Sequence, residues 1–245
     1  MTKGKGVPQA YGDETYWDNR YLQDVGSFDW YQRYAGLAPL INMYCPKTGK
    51  VLMVGCGNAV ISEDMVHDGY ENILNIDISQ VVIDAMIEKY KDMPQLQYQR
   101  MDVRSLSCAA GEFDTVLDKG MLDSLMCGAS APTSAAGMLK EVFRVLKPGG
   151  VYMLITYGDP RVRVPHLKSE EVAAAWEIRL HVIPRPGSRR ANEGSSRPIT
   201  EPIPLGEDMT LGPTFNLEDP DLHYVYVCVK KGEKETKMQS FGVKN

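Results

Sequence analysis

Apolar residues recur along the chain in short continuous runs separated by helical spacings, and that alternation sets the expected elements. Val51, Leu52, Met53 and Val54 form a run that ends in Gly55-Cys56-Gly57-Asn58; Val60, Ile61 and Met65 follow at helical spacing and Gly69 closes the segment. The pattern predicts strand, tight turn and helix. Ile73 to Ile76 form a second run ending at Asp77, after which Ser79 is placed to cap a helix bearing Val82, Ile83, Met86, Ile87 and Tyr90. A third strand is expected from Leu96 to Met101, ending at Asp102, and a fourth from Phe113 to Leu117, ending at Asp118-Lys119-Gly120. Met138, Leu139, Val142, Phe143, Val145 and Leu146 mark a helix that stops at Lys147-Pro148-Gly149-Gly150, before a fifth strand over Val151 to Thr156. Strands alternating with helices require a mainly parallel sheet covered on both faces.

Both ends of the chain depart from this rhythm. Near the N-terminus, Tyr16, Trp17, Arg20 and Tyr21 share one helical spacing, and Trp30, Tyr34, Leu37, Ile41 and Tyr44 share another that Pro39 is expected to bend. These aromatics suit core packing as well as they suit a ligand. Toward the C-terminus, Trp176, Ile178, Leu180 and Val182 alternate with other residues, as do Val225, Val227 and Val229, so two strands with distinct faces are expected to pair as an antiparallel edge. Residues 183–222 between them are rich in Pro, Gly, Ser and Arg and read as a long flexible insertion. With 1–15 read as a mobile segment and 232–245 as a tail, one domain over 16–231 is expected.

Composition changes this picture little. The 245 residues are 43% hydrophobic and 24% charged, ordinary for a globular protein, and 27 basic against 32 acidic residues leave a net charge of −5. Nucleic acid is therefore not the expected partner, since phosphate neutralisation needs clustered Lys and Arg. No apolar stretch approaches the ~18 residues of a membrane span, and the start lacks the apolar core of a secretory signal, so a cytoplasmic location is expected. The five cysteines are scattered without C-x-x-C spacing and read as reduced, mostly buried small residues with no metal site. The four histidines have no evident nucleophile partner, and His67 reads as an exposed residue in the last turn of its helix.

Candidate chemistry collects at three strand ends. Gly55 and Gly57 sit where a parallel strand hands over to a helix, and Asp77 follows twenty residues after Gly57, where a carboxylate can accept both hydrogen bonds of a ribose diol. Asp102 ends the next strand. The third glycine of a dinucleotide fingerprint would fall near Val60, and no Tyr-x-x-x-Lys pair is evident, which disfavours a nicotinamide oxidoreductase.

The segments VLMVGCGN (51–58), NIDIS (75–79), MDV (101–103), FDTVLDKGMLD (113–123) and LKPGG (146–150) resemble class I S-adenosylmethionine-dependent methyltransferases. The resemblance implies a Rossmann-like α/β fold with a seven-stranded sheet, mainly parallel with an antiparallel C-terminal edge strand, and S-adenosyl-L-methionine as cofactor. With YWDNRY (16–21) and FDWY (28–31), it is similar to the lysine methyltransferases of eukaryotic elongation factor 1A, lysine methyltransferase 4 type. That similarity implies that Trp17, Tyr21 and Trp30 fold over the cofactor and that Gly55, with Gly57, approaches its methionine part. It further implies that Asp77 holds the ribose with Ile78 against the adenine, that Asp102 and Val103 address the adenine edge, and that Lys119 lies beside the methionine part. Met53 departs from the pattern, because many relatives carry an acidic residue there. A protein acceptor such as elongation factor 1A is implied; a small-molecule acceptor and a non-catalytic cofactor-binding scaffold are the alternatives. Asp118 and Asp123 are the acids at the end of the fourth strand that could assist deprotonation, and they read equally well as a solvated strand end and a helix cap; no catalytic residue is assigned.

Overall fold

The computed structural model describes residues 11–24, 26–128, 130–168, 176–188, 198–205 and 222–232. The mobile-segment expectation for 1–10, most of the flexible insertion, and nearly all of the tail lie outside the described residues.

Seven strands make one sheet: β1 (Lys50–Val54), β2 (Asn72–Asp77), β3 (Leu96–Arg100), β4 (Phe113–Lys119), β5 (Leu146–Thr156), β6 (Trp176–Pro184) and β7 (Leu222–Lys230). The order across the sheet is β3-β2-β1-β4-β5-β7-β6. Pairings from β3 to β5 are parallel, whereas β7 runs antiparallel to both β5 and β6. The antiparallel pair thus closes one end of the sheet, with β7 one position in and β6 outermost. The inner strands are apolar runs because they are covered twice. Leu52, Val54, Leu74 and Ile76 face α5 (Met121–Met126), α6 (Ala131–Val145) and α7 (Pro160–Leu167), while Val51, Met53 and Ile73 face α2 (Tyr34–Tyr44), α3 (Ile61–His67) and α4 (Gln80–Lys89).

Local signals act as their chemistry requires. Ser79 caps α4 by accepting from Val82 N at 3.3 Å. Gly69, at φ +93°, ends α3 with the paired bonds Gly69 N to Val66 O (2.9 Å) and Tyr70 N to Met65 O (3.0 Å) that a left-handed cap makes. A seventh helix, α1 (Glu14–Gln23), is capped by Asp13 and contains no buried residue.

Four expectations are corrected. Trp30 lies outside α2, which starts at Tyr34, because the backbone turns at Tyr31 through φ +65°. Ile87 is exposed, leaving Val82, Ile83 and Met86 as the buried face of α4. β5 starts at Leu146 rather than Val151: Leu146 already pairs with Phe113, and a register irregularity absorbs the Pro-Gly-Gly turn. Val225, Val227 and Val229 do not mark one apolar face against a second one open to water, since Leu222 through Cys228 are buried on both sides. No helix of the described residues is long and apolar enough to cross a membrane. Cys45, Cys56 and Cys228 are buried, Cys108 is half-buried and Cys127 exposed, all free thiols.

Candidate active site

The C-terminal ends of β1, β2, β3 and β4 open into one cleft. Its lining includes Trp17, Tyr21, Trp30, Gly55, Gly57, Asp77, Ile78, Asp102, Val103 and Lys119, so all ten residues proposed from sequence meet around one space.

The glycine turn is shaped by its neighbours. Gly55 and Gly57 have φ +61° and +51°, in the left-handed region that side chains with a Cβ adopt at a cost. A Cβ on Gly55 would stand 2.5 Å from Met121 Sδ, and one on Gly57 would stand 2.7 Å from Tyr21 Oη. Two missing side chains therefore let α5 and α1 close on the turn. Asp77 is buried, and its two oxygens accept from Gly57 N and Ser79 N, each at 3.0 Å. Burial raises its pKa, against the pull of those backbone donors. An ionised carboxyl has about four acceptor positions, so these backbone donors do not exhaust it.

Asp102 is clasped by Arg104, whose Nη2 lies 2.7 Å from Oδ2 and whose backbone N lies 2.8 Å from Oδ1. Partial burial opposes ionisation of Asp102, yet the Arg104 hydrogen bonds and charge hold its pKa below the ordinary value. Lys119 is buried; its Nζ donates to Trp30 O at 3.1 Å and pairs with Asp29 Oδ1 at 3.2 Å. Burial lowers its pKa while Asp29 opposes the shift. Lys119 thus fastens the strap of residues 26–33 to the end of β4.

That strap and α1 form a cover over the cleft. Ser79 Oγ donates to Asp18 Oδ1 at 2.5 Å, Asn58 Nδ2 donates to Gly26 O at 2.6 Å, and Arg100 pairs with Glu14 at 2.5 Å. Trp17 stacks on Tyr21 with ring centroids 5.9 Å apart, and Trp30 meets Phe28 edge-on at 5.1 Å. The rings are not core: none of α1 is buried, and Trp30 is 36% exposed.

Comparison with known proteins agrees with this geometry. Residues 52–154 match the family described as "Methyltransferase domain". The chain is 35% identical over 180 residues to EEF1A lysine methyltransferase 4 of Mus musculus, covering 69% of each chain. It belongs to that methyltransferase family. It is also 35% identical over 183 residues to the eEF1A lysine and N-terminal methyltransferase of Homo sapiens, covering 71% of this chain and 26% of that longer one. Among solved structures, a SAM-dependent methyltransferase of Methanosarcina mazei superposes with TM-score 0.54 at 18% identity, covering 84% of this chain and 100% of the other. A TehB-like SAM-dependent methyltransferase of Corynebacterium glutamicum gives 0.52 at 17% identity, covering 90% and 100%. At such identities these two likenesses speak for the fold alone. The cofactor of the family is S-adenosylmethionine.

The residues present in the methyltransferase suit that cofactor. The glycine turn gives close access to backbone, Asp77 keeps acceptor positions for a diol, and Ile78, Val103 and Met101 line an apolar slot between β2 and β3. Among the lining residues that the sequence reading did not assign, two bear on the cofactor's fit. Arg20, within the YWDNRY motif, brings its guanidinium into the cleft 5.9 Å from the Phe28 and Trp30 rings, and it is the group there suited to a carboxylate. Its helical register with Trp17 was the available signal. Met121, inside the FDTVLDKGMLD segment, fills the space beside Gly55, a packing role that its position in that segment does not announce.

Asp118 and Asp123 exchange their expected roles. Asp118 is fully buried and caps α5, accepting from Met121 N at 2.7 Å, Leu122 N at 3.1 Å and Tyr152 Oη at 2.8 Å. Burial pushes its pKa up to about 7, with Tyr152 opposing and Asp123 adding to the shift. Asp123 sits inside α5, paired with buried Arg163, and accepts from Thr156 Oγ1 at 2.6 Å and Tyr31 Oη at 2.7 Å. The reversal follows from Gly120, whose φ of +92° turns the chain so that α5 starts directly over Asp118. Two histidines also gain polar partners: His181 Nε2 lies 3.0 Å from Tyr44 Oη, and His223 Nδ1 lies 3.2 Å from Gln32 Nε2.

Proposed function

We propose that the protein transfers a methyl group from S-adenosylmethionine to a lysine amine of a protein such as elongation factor 1A, in the cytosol, through one domain over 16–231. The observation that carries this reading is the 35% identity over 180 residues to EEF1A lysine methyltransferase 4, which covers 69% of each chain. On this reading Trp17, Tyr21 and Trp30 cover the cofactor, Gly55 and Gly57 admit its methionine part, and Arg20 pairs with the carboxylate of that part. Asp77 receives the ribose hydroxyls, Ile78, Asp102 and Val103 bound the adenine, and Lys119 secures the strap beside the methionine part.

When held by these residues, the cofactor would supply a methyl carbon on a sulfonium, open to displacement by a lysine nitrogen with the electron pair of the broken bond going to sulfur. Such a displacement needs alignment above all, and well-oriented reactants gain roughly 7–11 kcal/mol. The chain's contribution is rigidity: α1 and the strap are bonded to β2, β4 and the glycine turn, which excludes water and fixes both partners. The acceptor amine must be neutral, and at pH ~7.4 an ordinary lysine of pKa ~10.4 gives up about 4 kcal/mol to reach that state. A closed, partly apolar cleft lowers this cost by disfavouring the ammonium. Asp118 and Asp123 are already filled by donors, so neither serves as the base; the proton leaves to water.

The test is incubation of the purified protein with elongation factor 1A and methyl-labelled cofactor, followed by peptide mass mapping. Label on a lysine of the factor supports the reading. Label only in low-mass metabolites of a cell extract would replace it with small-molecule methylation.

A further inference from the structure

Three aromatic side chains run outward from the cleft, beginning at Trp30 of the cover. Trp30 lines the cleft; Tyr31 follows at 6.3 Å between ring centroids, and Tyr157, just past β5, lies 6.2 Å beyond Tyr31. The two junctions are tilted by 62° and 63°, so the outer rings stand as walls on a half-buried central one. Tyr157, 55% exposed, is the most open to solvent of the three rings. The trough meets the cleft at Gly120, where a Cβ would stand 3.1 Å from the Tyr31 ring.

The centre of this trough is held under strain. Tyr31 is the one non-glycine with positive φ among the described residues, a conformation that persists only when the surroundings impose it. The turn at Tyr31 is closed by a bond from Gln32 N to Trp30 O at 2.8 Å, and Asp123 binds Tyr31 Oη while its other contacts, Thr156 and Arg163, fix the segment that carries Tyr157. One buried carboxylate therefore sets the spacing between the strap and the loop after β5.

Aromatic faces attract cations, and these rings already do so: the Arg163 guanidinium lies 5.4 Å from the Tyr157 centroid and that of Arg20 5.9 Å from Trp30. We infer that Trp30, Tyr31 and Tyr157 form the acceptor subsite, gripping the apolar stem and ammonium end of a lysine side chain presented by a protein substrate, with Asp123 as its positioning residue. The inference rests on the lysine reading above. It adds that acceptor affinity is set by ring faces rather than by a carboxylate, so a quaternary ammonium, which offers no hydrogen to donate, fits as well as lysine.

The experiment compares wild type with Tyr157→Ala and Tyr157→Phe, all confirmed folded by thermal unfolding. Tetramethylammonium is titrated by calorimetry, with neutral tert-butanol as control, and methylation of elongation factor 1A is measured over a range of factor concentrations. Saturable ammonium binding in wild type and Tyr157→Phe, its loss in Tyr157→Ala, and about a tenfold rise in KM for the factor with unchanged cofactor affinity are expected. No saturable ammonium binding, or equal binding in Tyr157→Ala, overturns the inference, as does an unchanged KM. Ammonium binding through Tyr157 without methylation of the factor upholds the trough and defeats the choice of protein instead.

Discussion

Tyr31 and Asp123, 92 positions apart in the chain, meet through a 2.7 Å hydrogen bond that joins the strap over the cleft to helix α5. Asp123 is also the buried partner of Arg163. Removing one member of a buried ion pair leaves the other uncompensated, at about 3–5 kcal/mol. Asp123→Ala is therefore expected to lower the melting temperature strongly, while Tyr31→Phe, which loses one hydrogen bond, costs about 1 kcal/mol. Thermal unfolding of the two variants checks the order; equal small losses would deny Asp123 its structural role.

The cover and the body separate in the next substitution. Trp17 belongs to a helix with no buried residue, stacked on Tyr21 and donating through Nε1 to Tyr11 O at 2.7 Å. Trp17→Ala should weaken cofactor binding by about tenfold, or roughly 1.4 kcal/mol, with little change in melting temperature. Calorimetry and thermal unfolding measured together decide it, since a lower melting temperature at full affinity would make the ring a core residue.

Gly57→Ala joins strain to collision. At φ +51° a Cβ costs roughly 1–2 kcal/mol, and here it would also push into the Tyr21 hydroxyl 2.7 Å away. Displacement of α1 should follow, seen as faster proteolysis of the N-terminal segment and reduced cofactor affinity. Wild-type proteolysis with full affinity would show that the turn does not bear on the cover.

His223 gives the pH dependence its sign. Burial, aided by the Arg185 charge and opposed by Asp123, holds its pKa near 4 against an ordinary value of ~6.5. Between those values the unfolded chain takes a proton that the folded one refuses, so stability falls as pH drops from about 6.5 toward 4, by at most about 1.4 kcal/mol per pH unit. His223→Gln should flatten this part of the stability profile. An unchanged slope would assign the acid sensitivity to other groups.

The strand-end side of the cleft was legible in the sequence because its residues sit where a short apolar run announces both the strand and the place its last side chain occupies. Gly55, Asp77 and Lys119 each terminate such a run, and adjacent parallel strands bring their ends together. What sequence could not show depends on turns and long-range contacts. Trp30 reads as one more residue of a helical face until the left-handed turn at Tyr31 removes it. Asp118 and Asp123 differ only by which side of the Gly120 turn they occupy, and no periodicity encodes that turn's direction. Arg163, distant in sequence from Asp123, shows no sign of its partner, and His181 and His223 acquire theirs only when α2 and the strap lie against the last strands.

The proposed adenosyl site at Asp77 is tested most directly by calorimetric titration of S-adenosylmethionine into the wild-type protein and into Asp77→Ala. Loss of hydrogen bonds to a charged group, worth about 1–3 kcal/mol, predicts a dissociation constant roughly ten- to a hundredfold higher in the variant at unchanged stoichiometry. Equal affinity in the two proteins would contradict the assignment of the cleft between the glycine turn and the second strand to the cofactor.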